Sequence, residues 1–220
     1  MKNAYCTLIG NDEYVIGALC LAESYKRLKL PHDFIFLVNE NVSQEKLTLI
    51  YEYNFGIVKI IPDIKYKNDN SQNHFSTTTG KFETFALTDY DGIIFMDADT
   101  LLIYPIDILF KYDTWFAAQS SDNTYCIGGT FKITPSKELY DKIQTIIKTK
   151  DFADDEAIFD YLKLDSQLSY SRQDLLYNNV FHDVSAYGKG DGLIPKYWMD
   201  NSDNYTLEDI PKLVNKQLQK

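Results

Sequence analysis

The pattern that most restricts the fold is an alternation of short apolar runs with amphipathic segments from Ala4 to Ile61. Ala4–Ile9 reads as a strand, and Gly10-Asn11-Asp12 supplies a turn with helix-capping side chains. Val15, Ala18, Leu19, Ala22, Tyr25 and Leu28 then recur at the period of a helix that Pro31 ends. Phe34–Val38 is a second strand. A helix opened by Ser43, with Leu47, Ile50 and Tyr51 on one face, leads to a third strand at Ile57–Ile61. Strand, helix, strand, helix, strand in so short a span predicts right-handed crossovers in a parallel sheet, and hence an α/β fold.

A later strand ends in the candidate chemistry. Ile93-Ile94-Phe95-Met96 is a run of large apolar residues suited to a strand covered on both faces, and Asp97 and Asp99 follow it directly. On an extended backbone the two carboxylates would share one side, with alpha carbons roughly 6.5 Å apart. Such a pair suits one hard divalent cation, Mg2+ or Mn2+, which commonly takes one or two carboxylates and completes its shell with substrate phosphates. A nucleotide would bring those phosphates, and strand ends are where such sheets bind ligands.

The remaining segments are less regular. Pro62–Thr79 is polar and aperiodic, the signature of a long loop of the kind often used as a lid, and Lys81–Thr88 is expected to form a helix with Phe82 and Phe85 inward. Trp115–Ala118 and Gly129–Ile133 read as further strands. Ser136 caps a helix carrying Leu139, Tyr140, Ile143 and Ile147 on one side, and Asp154–Leu162 forms a shorter one. Asp209–Lys220 closes the chain as an amphipathic helix with Ile210, Leu213, Val214 and Leu218 inward.

Composition narrows the partners. The net charge of −10, from 32 acidic against 22 basic residues, argues against a broad nucleic-acid footprint. Cys6, Cys20 and Cys126 are odd in number and far apart, which predicts reduced core thiols and a cytoplasmic protein. No apolar run approaches the about 18 residues of a membrane span.

Several of these segments, in order, resemble glycosyltransferase family 8 in its glycogenin-like form. The opening from Ala4 to Leu19 is similar to that family's first strand, loop and helix. Lys81-Phe82-Glu83 and Leu87-Thr88-Asp89-Tyr90 fall where the family has a lysine-bearing helix. Phe95-Met96-Asp97-Ala98-Asp99-Thr100-Leu101, followed by Ile106-Asp107 and Leu109-Phe110, is the closest match, and Asp155-Glu156-Ala157-Ile158-Phe159 resembles a later Asp-Gln-Gly-Leu-Leu segment.

The resemblance implies a single Rossmann-like, nucleotide-sugar-binding domain of the glycosyltransferase A type over residues 1–220, a mostly parallel central sheet flanked by helices. About 1–110 would be the nucleotide half, about 111–205 the sugar and acceptor half, and 206–220 a terminal helix. The implied activity is retaining transfer of a hexose from UDP-glucose or UDP-galactose to a glycan or protein acceptor, with homodimerisation left open. Leu8, Asn11 and Tyr14 would contact the nucleotide, Tyr14 by stacking on uracil, and Ala98 would line the same site between the two aspartates. Lys81 would reach the diphosphate or the donor sugar, Asp97 would touch the ribose or the metal, Asp99 would bind Mn2+ or Mg2+ directly, and His182 would stand in as a third protein ligand. Asp155 would lie near the donor sugar, which makes Asp155 and Lys81 the catalytic candidates. Retention through a carboxylate nucleophile and through a same-face, ion-pair-like displacement both remain open.

The chain also departs from the family. Cys126-Ile127-Gly128-Gly129 replaces an Asn-Ser-Gly or Asn-Ala-Gly segment, Glu156 replaces a glutamine, and the closing His-x-x-Gly-x-x-Lys-Pro-Trp segment is matched in part by His182 with Gly188 and Lys189 behind it, and in part by Pro195-Lys196-Tyr197-Trp198 without a nearby histidine. These departures leave a catalytically impaired nucleotide-sugar binder as the alternative. A phosphatase of the haloacid dehalogenase type, which also uses Asp-x-Asp after a strand, fits less well, since it places the motif near its N-terminus and another residue where Thr100 stands.

Overall fold

A computed structural model of the chain describes residues 1–65, 77–111, 116–119, 126–152, 155–164 and 202–218. The expected alternation is present: β1 (Asn3–Ile9), α1 (Val15–Arg27), β2 (Asp33–Asn39), α2 (Gln44–Tyr53), β3 (Ile57–Ile61) and β4 (Gly92–Met96). They are followed by β5 (Phe116–Gln119), β6 (Cys126–Ile133), α3 (Lys137–Thr149), α4 (Asp155–Leu164) and α5 (Ile210–Leu218). The sheet runs β3-β2-β1-β4-β6-β5. β1 pairs in parallel with β2 and β4, and β2 with β3. β6 lies antiparallel between β4 and β5. The connection between β5 and β6 is too short for a crossover, which needs about a dozen residues, so the last pair turns back on itself.

Side-chain alternation along the strands divides the apolar residues into two cores. Tyr5, Ile9, Phe34, Phe36, Val38, Ile94 and Met96 face α1, α2, α5 and the segment from Leu101 to Leu109. Ala4, Cys6, Leu8, Ile35, Leu37, Ile93, Phe95, Phe131 and Ile133 face α3, α4 and a helical segment at Thr78–Ala86. Both faces are covered, which is why these strands read as unbroken apolar runs.

Three expectations need correction. α1 is buried on nearly every side, not along one stripe, because α5 lies on its outer surface: Arg27 donates to the Pro211 carbonyl at 3.0 Å and to Asn215 Oδ1 at 2.8 Å. Tyr51 is exposed, and Tyr53 is the aromatic residue of α2 that turns inward, donating to Glu23 Oε2 at 2.9 Å. The segment before β4 is a 3-10 helix, Thr78–Ala86, in place of an α-helix from Lys81 to Thr88. Three residues per turn eclipse side chains at i and i+3. Phe82 and Phe85 therefore share the core face, while Glu83 accepts from Tyr140 Oη at 2.7 Å and from Gln144 Nε2 at 3.3 Å on α3. Of the expected lid, 66–76 lies outside the described residues.

An aromatic column crosses the second core. The rings of Phe95 and Phe131 stack at 4.7 Å, Phe131 meets Phe159 of α4 at 5.0 Å, and Phe159 meets Phe82 at 5.1 Å. Geometry in this range adds to the area buried by such rings. Cys6 and Cys20 are buried and free, as expected, and burial pushes the Cys20 thiol up to about 12.

The buried tyrosines make the fold alkali-sensitive. Burial foremost, reinforced by the carboxylate partners, raises Tyr5 and Tyr25 beside Asp107, Tyr53 on Glu23 and Tyr140 on Glu83, and Tyr90 on Asp33 is pushed up to about 12. An acid with a raised folded-state pKa contributes full stability below its unfolded pKa of about 10 and loses it as pH rises above that value. These five are expected to ionise only together with loss of the helical dichroism. Tyrosinate absorbance and far-UV dichroism recorded in one alkaline titration check this; full tyrosine ionisation with the fold intact would contradict it.

Candidate functional site

The C-terminal ends of β1 and β4 build the site. β1 runs out at Ile9 into Gly10 and Asn11, and Asn11 Oδ1 accepts from Glu13 N at 3.0 Å, capping a 3-10 turn at Asp12–Tyr14. Tyr14 is half-buried at the head of α1. A second contact fixes this turn from outside, since Asp12 Oδ1 accepts from Ser43 N at 2.8 Å, where α2 begins.

β4 delivers the aspartates differently from expectation. The strand ends at Met96, and Asp97 to Thr100 fold into a turn closed by Thr100 N on the Asp97 carbonyl at 3.1 Å, with the Thr100 hydroxyl donating to the same oxygen at 2.7 Å. The strand-rise spacing of Asp97 and Asp99 therefore does not apply. Buried Ala98, Thr100, Leu101 and Leu102 pin the turn, and Leu102 N donates to Ser24 Oγ of α1 at 2.9 Å. On the other side Asp97 N donates to the Gly129 carbonyl of β6 at 2.8 Å, one step beyond the regular ladder.

Lys81 meets this turn from the 3-10 helix. Its Nζ lies 3.0 Å from Asp97 Oδ1 and 3.4 Å from Oδ2, and donates to the Gly128 carbonyl at 3.2 Å. It also sits 5.8 Å from the centroid of the Phe95 ring, at the top of the aromatic column. The Lys81 side chain is only 8% exposed, whereas that of Asp97 is 31% exposed. The Tyr14 hydroxyl feels the same groups: burial first, then Asp99 and Asp97, raise its pKa, while Lys81 opposes them.

The structure thus brings Tyr14, Lys81, Asp97 and Asp99 to one place, with Asn11 holding the turn that carries Tyr14. The Leu8 side chain lies in the second core, against Gly80, where an added Cβ would stand 2.8 Å from Leu8 Cδ1. Asp155 begins α4, whose Ile158, Phe159 and Leu162 are buried, but its side chain lies outside the described residues, as does all of His182. Among the described residues no group of three or more His, Cys, Asp or Glu could hold a metal ion. Asp97 and Asp99 offer hard oxygen donors on one half-buried turn, a set that fits Mg2+ or Mn2+ when phosphate oxygens supply the rest.

Two contributors were missed in the sequence. The Gly128 carbonyl is one, and Gly128-Gly129 beside a strand is the available signal for a close backbone approach. Thr77 is the other, since an added Cβ on Gly10 would lie 2.5 Å from Thr77 Oγ1 and 2.9 Å from its Cβ.

No protein-family profile matches the chain. It is 28% identical over 148 residues to inositol phosphorylceramide glucuronosyltransferase 1 of Arabidopsis thaliana, which covers 67% of this chain and 27% of that protein. It is 31% identical over 147 residues to glycogenin-1 of Mus musculus, covering 64% of this chain and 44% of that one. The chain spans less than half the length of these curated relatives. In fold it is similar to the apo glycosyltransferase GlyE of Streptococcus pneumoniae, with a TM-score of 0.58, 15% identity and coverage of 99% of this chain and 64% of that one. The galactosyltransferase LgtC, crystallised with donor and acceptor sugar analogs, gives a TM-score of 0.55 at 13% identity, covering 97% and 95%.

The Gly10 contact has a measurable consequence. Gly10→Ala is expected to destabilise the protein by about 1–3 kcal/mol, the usual range for overpacking. Combining it with Thr77→Gly recovers part of that loss, so urea denaturation of the two single variants and the double should show non-additivity.

Proposed function

We propose that the chain is a glycogenin-like glycosyltransferase of family 8, in the glycosyltransferase A fold, and that it transfers a hexose from a UDP-sugar to a glycan or protein acceptor with retention of configuration, a reading supported by its similarity to glycogenin-1 and to a plant glucuronosyltransferase. The observation that supports this most is the meeting of Lys81 and Asp97 at 3.0 Å at the end of β4, within electrostatic reach of Tyr14 and Asp99.

The chemistry follows from where charge develops. As the bond between sugar and diphosphate breaks, negative charge builds on the leaving oxygens, and fixed positive charge at that point lowers the barrier. Asp97 and Asp99 would hold Mn2+ or Mg2+, and the ion when bound supplies Lewis-acid stabilisation of the leaving diphosphate. Lys81, beside Asp97, adds a second positive charge. Tyr14 offers a flat, half-buried ring for the base, with its hydroxyl kept protonated. Asp155 is assigned to the donor-sugar side and His182 to the third protein ligand. UDP-glucose and UDP-galactose are the preferred donors, because a uronate would bring another carboxylate toward Asp97, Asp99 and the acidic run Asp154-Asp155-Glu156. A cytoplasmic location belongs to the same reading, supported by the free, buried Cys6 and Cys20. No helix among the described residues is long and apolar enough to cross a membrane.

The test is UDP release in Mn2+ from UDP-glucose, UDP-galactose and UDP-glucuronate, with mass spectrometry for sugar added to the protein itself. Turnover of a neutral hexose donor is expected, reduced at least about a hundredfold in Asp99→Asn, the scale of losing one electrostatic stabiliser. Turnover unaffected by Asp99→Asn or by excess chelator would overturn the assignment of a metal to these aspartates; no turnover of any donor despite UDP binding would favour the non-catalytic alternative.

A further inference from the structure

We propose that Lys81 is a built-in counter-cation for Asp97 that keeps a bare divalent ion from the carboxylate pair and yields only to a nucleotide diphosphate, so that metal and nucleotide enter the site together. The inference rests on the donor-site reading above and adds an order of binding to it.

Position carries the argument. Lys81 Nζ lies within 3.0 and 3.4 Å of the two Asp97 oxygens, so it faces the carboxylate edge that an incoming cation would use. Its bond to the Gly128 carbonyl at 3.2 Å comes from a different strand, and holds the ammonium there independently of the carboxylate. The Phe95 ring at 5.8 Å adds a weak attraction of the same sign. Because the Lys81 side chain is 8% exposed, water screens its charge poorly, and a dication arriving on the same carboxylate meets that repulsion.

Charge balance gives the direction. Asp97, Asp99 and Lys81 by themselves sum to −1, a dication adds two positive charges to that trio, and a nucleotide-sugar diphosphate brings two negative ones. The diphosphate thereby offers Lys81 an anionic partner when it leaves Asp97, which a bare dication does not. Lys81 opposes both aspartates at the Tyr14 hydroxyl, so the three charges already act on the place assigned to the base.

The experiment compares the intact protein with Lys81→Gln, which keeps a hydrogen-bond donor without the charge, and Lys81→Arg, which keeps the charge. Mn2+ alone is titrated by the paramagnetic resonance signal of the free ion, and again with UDP present. Lys81→Gln is expected to bind Mn2+ alone about tenfold more tightly than the unsubstituted protein, the scale of removing one nearby unit charge, with Lys81→Arg unchanged. With UDP present the advantage should vanish or reverse. Equal or weaker binding of Mn2+ alone by Lys81→Gln, while UDP with Mn2+ still binds, overturns the counter-cation and leaves the donor site standing. Failure of the unsubstituted protein to bind UDP with Mn2+ overturns the donor-site reading itself. Should Lys81→Gln not fold, lysine ammonium resonances of the unsubstituted protein in 15N NMR decide: Mg2+ alone should leave Lys81 unmoved and UDP with Mg2+ should shift it. Saturation of that shift by Mg2+ alone overturns the proposal.

Discussion

The contact between Lys81 and Asp97 joins two segments that share no regular secondary structure, and much of the surrounding architecture serves to hold its two ends. A largely buried ion pair is stable only if geometry and further hydrogen bonds offset desolvation. Here the ammonium has the Gly128 carbonyl as a second acceptor, and the carboxylate keeps one face toward solvent. Beneath them Phe95, Phe131, Phe159 and Phe82 pack edge and face, drawn from β4, β6, α4 and the 3-10 helix. A displacement of any of these four elements reaches Lys81 through packed rings, because a dense interior transmits strain and does not absorb it.

The two-sided sheet explains why this can happen at a strand end. With both faces sealed by helices, the only polar positions left on β4 are those past its terminus, and the chain turns there at Asp97. The turn is anchored downstream by Leu101, Leu102 and Ile106 in the first core, and Tyr5 Oη donates to Asp107 at 3.0 Å. The upstream anchor is the 3-10 helix, tied to α3 by the Ser136 amide on the Phe85 carbonyl at 3.1 Å and by Tyr140 on Glu83. Burial raises the Glu83 carboxyl while its bond from Tyr140 lowers it, so this tie is made where a charge is least welcome and the hydrogen bond most needed.

Apolar periodicity made the first half of the fold legible before any coordinates. The five-element alternation and the buried strand leading to Asp97 follow from residues whose neighbours along the chain set their environment. What escaped depends on partners distant in sequence. Three-residue winding at Thr78–Ala86 arises because Lys81 must reach Asp97 while Phe82 and Phe85 share one core face and Glu83 meets α3, a demand visible only once α3 and β4 are in place. The insertion of β6 between β4 and β5 is likewise a matter of pairing, and short strands carry no mark of their neighbours. Tyr14, Lys81, Asp97 and Asp99 could be gathered from motif order, whereas the direction of the Leu8 side chain could not, because an apolar side chain one residue before a strand end faces one side of the sheet or the other according to register alone.

The chain's last described segment supports the base side of the site by a route with no local logic. Lys46 stands in the first turn of α2, where the helix dipole disfavours a cation, and it is buried. Its ammonium reaches Asp203 Oδ1 at 2.7 Å, in a 3-10 turn at Ser202–Asn204 just ahead of α5. The same first turn of α2 receives Asp12 on its Ser43 amide, so the segment from Asn11 to Tyr14 is tied to α2, and α2 in turn to the C-terminal segment. Arg27 and the buried Ile210 and Val214 complete the closure by fastening α5 to α1, the helix that Tyr14 begins. An unfavourable charge in α2 is thus offset by a carboxylate more than 150 residues away, and the pairing fastens the same helix start that Asp12, two residues before Tyr14, is bonded to.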